Sequence, residues 1–219
     1  MLDALHVYDD LEPRPAALNM AIDEALLAEA SAPTLRYYRW RKAALSFGYF
    51  GRYAEAAAEA DGREIVRRWT GGGIVPHGDD LTYSIIIPAT HPLFRRSSPD
   101  IYRALHEAIR MALARHDIAT ELVREPAPKI SDACFANPVR ADVVRAGKKI
   151  AGAAHRRSRA GLLHQGSIQC RDLPERFRDD LAAIVCESYE MKNIPVAITD
   201  RAAQIAAAKY GTSEWLERR

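Results

Sequence analysis

The chain has 219 residues, 48% of them hydrophobic, a size at which one domain buries roughly 70% of its unfolded surface. Its 31 basic and 29 acidic side chains are mixed along the sequence and leave a net charge of +2, which argues against a nucleic-acid-binding surface. Three cysteines, Cys134, Cys170 and Cys186, are too few for a disulfide framework and fit a reducing compartment, and no CxxC or Cys/His spacing suggests a metal site. The N-terminus MLDALHVYDD lacks a leader pattern, and no apolar run approaches the ~18 residues of a membrane span. The expected location is the cytoplasm, with no membrane partner.

In chain order, ALHVYDD reads as a strand. AALNMAIDEALLAEAS reads as a helix with Leu18, Ile22, Ala25 and Leu26 on one face. TLRYYRW and ALSFGYF are strands, YAEAAAEA is a helix stopped at Asp61-Gly62, and EIVRRW is a strand leading into Gly71-Gly72-Gly73. LTYSIIIP is a strand closed by Pro88. A helix starts at Ser98-Pro99 and carries Ile101, Leu105 and Ile109. REPAPKISDACFANP is a proline-rich loop, ADVVRAGKKIAGAAHRR a hairpin turning at Ala146-Gly147, and GLLHQGSIQC a strand. From about Leu173 the pattern is mostly helical. Strands and helices alternate without regular βαβ spacing, so the predicted class is α+β on a mixed, largely antiparallel sheet.

The three glycines lack the lysine of a GxxxxGK[ST] phosphate loop, and Pro76 stands where a GxGxxG fingerprint needs glycine. Two uses remain open. One is a strained turn at positive φ. The other is a ligand channel floored by bare backbone, with Arg67, Arg68 and His77 converging on it.

Cys134 lies among loop residues, Ser131, Asp132, Asn137 and Pro138. It is either a buried thiol or a nucleophile whose thiolate nearby cations favour. Cys170 and Cys186, in strand-like and helical contexts, read as structural. Lys148 and Lys149 follow the hairpin turn and point to opposite faces. Lys149 precedes the small-residue run IAGAA, where a ligand can approach closely. A lysine aimed there can hold a carboxylate, a phosphate or an oxyanion. His77 and His164 stand beside this region, whereas the histidines at 6, 91, 106 and 116 have no motif context.

Five segments, NMAIDEAL, RRWTGGGIVPH, LTYSI, GKKIAGAAHRR and LLHQGSI, occur in an order that resembles the lipoate-protein ligase and octanoyl transferase family. The resemblance implies a single catalytic domain over residues 1–219, without a C-terminal accessory domain. The implied fold is a large sheet backed by helices, with an acyl tunnel beside the glycine loop. It implies that Gly71, Gly72, Gly73 and His77 line the acyl and adenylate site and that Lys149 contacts the acyl carbonyl or phosphate. Gly152, Trp40 and Arg68 flank the pocket, and Asp23 matches an acidic position.

Two chemistries share this fold. Transferases move octanoate from acyl carrier protein through a cysteine thioester and need no cofactor. Ligases make lipoyl-adenylate and need ATP and Mg²⁺. ACFANP, LTYSI and SFGYF resemble the transferases, with Cys134 as nucleophile. Gly73, GAAH and PHGDD depart from their pattern. The implied partners are octanoyl-acyl carrier protein and a lipoyl domain or glycine-cleavage carrier protein. The basic run His155–Arg159 is either a docking surface for an acidic carrier or a solvated turn.

Overall fold

Helix α1 (Ala16–Glu29) links strand β1 (Leu5–Arg14) to β2 (Thr34–Trp40), and a helical crossover is what lets neighbouring strands run parallel, as these two do. The protein is described by a computed structural model covering residues 2–125, 135 and 137–218. Beyond β2 the main sheet is antiparallel. Strand β6 (Leu81–Pro88) pairs with β2, β10 (Gly161–Ile168) with β6, and β9 (Lys148–Arg157) with β10. Strand β8 (Val143–Arg145) follows on β9, and β7 (Glu121–Leu122) forms the edge. Beyond β1, strand β11 (Tyr189–Lys192) forms the other edge and is parallel to β1. A smaller sheet holds β3 (Ala44–Phe47) between parallel β4 (Glu64–Arg67) and antiparallel β5 (Val75–His77).

The mixed, largely antiparallel sheet is as expected from the sequence, but the parallel trio β11–β1–β2 is not. It contains one βαβ unit, and it places a strand inside the C-terminal stretch that the sequence presents as mostly helical. Strand β11 is short and half polar, with Glu190 and Met191 exposed. It is a strand because β1 offers it an unpaired edge, which leaves no hydrophobic alternation to read.

Helices cover both faces of the large sheet. Along β2, Leu35 and Tyr37 face helices α3 (Ser98–Ala114) and α4 (Phe177–Val185), while Tyr38 and Trp40 face α1 and α5 (Val196–Ile205). Along β6, Ile85 and Ile87 take the first side and Ile86 the second. Double burial explains why β6 reads as an unbroken apolar run. Helix α3 begins where Ser97 Oγ accepts the Asp100 N–H at 3.2 Å.

Arg36 interrupts the core on the α1 side of β2. All five of its guanidinium N–H donors are met: Nε and one Nη by Asp10, the others by Asp23 Oδ1 at 2.8 Å, Asn19 Oδ1 at 2.7 Å and the Asn19 carbonyl at 3.1 Å. Asn19 and Asp23, four residues apart on one helical face, pin α1 to the sheet. Burial alone would raise the Asp10 carboxyl, but Arg14 and Arg36 outweigh it and hold it below its usual range.

The C-terminal segment is tied down by Arg67. Its guanidinium donates to the carbonyls of Tyr49, Gly51, Leu216 and Arg218, and Trp215 Nε1 donates to the Arg67 carbonyl at 3.0 Å.

Removing one partner of a buried ion pair leaves an uncompensated charge, at a cost of about 3–5 kcal/mol. Asp23→Ala, which strips Arg36 of its only contact with that carboxylate, should lower the unfolding free energy by about that amount in urea denaturation.

Candidate active site

The glycine loop runs between β4 and β5 and forms one lip of an open cleft. Its floor and walls combine apolar Met20, Tyr38, Trp40 and Val75 with the small residues Gly152, Ala153, Ala154 and Gly166. Gly72 lines the cleft at φ +88°, a left-handed conformation that side chains disfavour. Arg68 holds the loop in shape, one Nη donating to the Gly71 carbonyl at 3.0 Å and to the Gly73 carbonyl at 2.9 Å. The close backbone approach falls at Gly48. A Cβ there would overlap the Gly72 carbonyl oxygen and lie 2.6 Å from the Gly71 carbonyl carbon. From behind, Thr70 Oγ1 donates to Gln165 Oε1 at 2.8 Å, and Gln165 Nε2 donates to Asp23 Oδ2 at 2.8 Å.

One wall carries a chain of side-chain hydrogen bonds. Arg68 Nη1 donates to Ser46 Oγ at 2.6 Å, Ser46 Oγ lies 2.6 Å from His77 Nε2, and His77 Nδ1 lies 2.8 Å from Asp80 Oδ2. Thr82 and Ser167 also donate to Asp80 Oδ2, and the Gly78 N–H to Oδ1. Burial works to raise the Asp80 carboxyl, but His77, Ser167 and Thr82 outweigh it and bring it down to about 2. The Trp40 ring stacks on His77 with centroids 4.2 Å apart, and its Nε1 donates to Thr82 Oγ1.

Strand β9 carries Lys149. The two-residue turn at Ala146 and Gly147, both at positive φ, sets the β8–β9 register, leaving Lys148 exposed and turning Lys149 inward. Lys149 Nζ pairs with Asp142 Oδ2 at 2.8 Å, both side chains being buried. Its chain crosses Gly152, where a Cβ would overlap Lys149 Cε and lie 2.6 Å from Nζ. Asp142 also accepts from Tyr102 Oη at 2.5 Å and from the Val139 N–H at 2.7 Å. Burial first, and Asp142 second, raise the Tyr102 phenol well above its usual value, so it stays a donor. Asp142 follows Ala141, held at φ +70° by its N–H to the Val123 carbonyl and by His106 Nδ1, which donates to its carbonyl at 2.7 Å. The Phe135 ring lies 5.2 Å from Lys149 Nζ.

Behind this strand three histidines cluster. His164 joins Tyr83 Oη at 3.0 Å through Nε2 and His155 Nε2 at 2.5 Å through Nδ1. Burial lowers His106 to about 4, and lowers His155 to about 4 with help from His106 and Arg157. His164 is driven well below its ordinary value by burial and by the other two rings.

Residues 15–208 match the lipoyl protein ligase A/B catalytic domain. The chain belongs to the lipoyl protein ligase A/B family. It is 41% identical over 165 residues to the octanoyltransferase LipM of Oceanobacillus iheyensis, covering 71% of this chain and 60% of that protein. It is 35% identical to that of Staphylococcus aureus, covering 73% and 64%, so the match takes in less than two thirds of either relative. The bipartite lipoate protein ligase of Thermoplasma acidophilum shares the fold with a TM-score of 0.75 at 19% identity, covering 99% of this chain and 97% of that one. A lipoate-protein ligase A bound with ATP scores 0.76 at 20% identity, covering 99% of each.

Within this family fold the expected residues are sorted. Trp40, Arg68, Gly72, His77 and Gly152 line the cleft, and Lys149 reaches it across Gly152. Gly71 and Gly73 are outside the lining and act through their carbonyls on Arg68. Asp23 is not at the cleft but one layer behind it, holding Gln165. Arg67, next to Arg68, points the other way, as successive strand residues do. Cys134 lies outside the described residues. Cys170 and Cys186 are buried and free. The basic run is not a solvated turn throughout, since His155–Arg157 belong to β9. His155 bonds His164, Arg156 lies over Tyr49 and Trp69, and Arg157 donates to the carbonyls of Phe94 and Arg96.

Ser46, Asp80, Tyr102, Asp142 and His106 were not singled out from the sequence. Only Asp80, three residues after His77, left a local signal there. Among the described residues no cluster fit for a metal ion occurs, and no helix is long and apolar enough to cross a membrane.

Gly48→Ala should lower stability by at least about 1–3 kcal/mol through overpacking, read by urea denaturation. Gly71→Ala, whose Cβ would meet nothing within 4 Å, should stay within about 0.5 kcal/mol of the parent.

The histidine cluster also predicts a pH dependence. His106 and His155 are neutral when folded and take a proton near pH 6.5 when unfolded, so the unfolded state binds more protons between about pH 4 and 6.5. Their stabilisation is complete above that window and lost as pH falls through it, by roughly 2 kcal/mol per histidine between pH 7 and pH 5. Urea midpoints should drop accordingly, and His106→Phe should make the fall shallower.

Proposed function

We propose that this chain moves an octanoyl (or lipoyl) group from acyl carrier protein, through a thioester on Cys134, to a lysine of a lipoyl domain or glycine-cleavage carrier protein. The observation that carries this reading is the buried Lys149–Asp142 pair set against the glycine-floored cleft, with Phe135, the residue after Cys134, stacked on the lysine. The match to proteins named octanoyltransferase LipM favours transfer over adenylation.

In this reaction the Cys134 thiolate attacks the donor thioester carbonyl, a new C–S bond forms, and the old one breaks to release the carrier thiol with a proton. Lys149, an ammonium anchored by Asp142, donates to the oxyanion, and one such donor is worth about 10²–10³ in rate. The small residues Gly152, Ala153, Ala154 and Gly166 leave room for a slender acyl chain between the aromatic and aliphatic walls. Transfer of this kind needs neither ATP nor Mg²⁺.

Incubation with octanoyl-acyl carrier protein should add the mass of one octanoyl group to the protein, and Cys134→Ser should abolish the adduct. Full transfer by Cys134→Ser, or pyrophosphate release that depends on lipoate and ATP, would overturn the reading.

A further inference from the structure

The outer edge of β9 is paired only as far as Ala151, because β8 ends at Val143 opposite it. Two residues further on, Ala153 lines the cleft between Gly152 and Ala154, and its N–H points out of an edge that no strand covers. A peptide N–H away from water needs an acceptor. Helix α3 supplies one. Tyr102 Oη accepts the Ala153 N–H at 3.1 Å and donates to Asp142 Oδ1 at 2.5 Å. Both directions are fixed, since an amide N–H only donates and leaves the single phenol hydrogen for the carboxylate. One side chain therefore stands in for the missing strand and ties the small-residue wall to the Lys149–Asp142 pair.

We infer that Tyr102 is a positioning residue for acyl transfer, holding the Asp142 carboxylate so that the Lys149 amine stays over Gly152 at the cleft. The inference rests on the transfer reading above. It is geometric, and it holds whichever way the lysine passes its proton.

Asp142 divides its oxygens between two tasks. Oδ2 takes Lys149 Nζ at 2.8 Å and the Val139 N–H at 2.7 Å, and Oδ1 takes Tyr102. Both groups sit above the same bare residue: a Cβ on Gly152 would lie 2.6 Å from Lys149 Nζ and 3.3 Å from Asp142 Oδ1. The phenol that fixes Oδ1 is itself held. Its ring packs on His106, His155 and His164, with centroids 4.0, 5.6 and 5.9 Å away.

Tyr102→Phe removes the hydrogen on Oδ1 and keeps the ring packing. The Asp142 side chain is fully buried, so water does not replace the lost donor. Oδ1 then competes with Oδ2 for the lysine amine and draws it away from the position it holds over Gly152. A displacement of about 1 Å at a reacting group costs on the order of 10² in rate.

The test compares wild type, Tyr102→Phe, Asp142→Asn and the double variant. Tyr37→Phe is the control, a buried phenol outside the cleft lining that donates to the Arg178 carbonyl at 2.9 Å. Each protein is mixed with octanoyl-acyl carrier protein over a range of concentrations, and the octanoyl adduct is timed by quenched-flow mass spectrometry. Urea midpoints are taken on the same samples. Tyr102→Phe should lower the saturating rate about 10- to 10²-fold and leave the half-saturating donor concentration within about twofold. In the Asp142→Asn background the same change should cost less than about twofold, because the lysine has already lost its anchor. Tyr37→Phe should lower the urea midpoint and load at the wild-type rate. The split between rate and half-saturation in Tyr102→Phe decides the matter even if Asp142→Asn does not fold. Loading by Tyr102→Phe at the wild-type rate, a raised half-saturation at an unchanged saturating rate, or an undiminished cost beside Asp142→Asn would overturn the positioning role alone. A wild-type protein that never gains octanoyl would overturn the transfer reading and this role together.

Discussion

A guanidinium in the middle of the core organises this molecule. Arg36 occupies a central strand with every donor satisfied, and the carboxylate that answers it, Asp23, also accepts from Gln165 and Ser84. Through Gln165 the same network reaches Thr70 and the glycine loop. Apolar residues of similar volume often serve stability as well as a buried ion pair does. What they lack is direction. Here the fixed angles of one planar cation set helix α1 against the sheet, and the helix in turn sets a wall of the cleft.

The cleft is asymmetric in the groups that surround it. One wall presents a cation backed by a carboxylate, a phenol and a backbone N–H, an arrangement fit to stabilise developing negative charge. The other presents an imidazole held between a serine hydroxyl and a carboxylate. The two groups stay apart because their carboxylates do: Asp142 answers the lysine and Asp80 the histidine. Between the walls, bare backbone and alanine leave a passage for something thin and apolar.

Much of this was legible in the amino-acid sequence, for physical reasons that can be named. Double burial wrote β6 as an apolar run, and the small-residue run IAGAA marked Lys149 out from Lys148. Trp40, Arg68, His77, Gly152 and Lys149 fall together because short motifs on neighbouring strands carried them. Asp142, Tyr102 and Ser46 were hidden, since each becomes meaningful only through a partner dozens of residues away. Glycine was misleading in a particular respect. The triplet drew the eye, yet the tight approach lies at Gly48, a lone glycine after β3 with nothing local to mark it. Asp23 looked like a site residue and proves to be a strut behind one.

Arg67 and Arg68 are consecutive, and the strand's pleat sends them opposite ways, one to the carbonyls of the C-terminal segment and the other to the glycine loop. A peptide unit is all that separates the tail's anchor from the clamp on the lip of the cleft. Insertion of a single amino acid ahead of them would exchange their faces and undo both attachments at once. Releasing residues 216–218 would leave the Arg67 guanidinium with only the carbonyls of Tyr49 and Gly51, one residue away from the side chain that clamps the glycines.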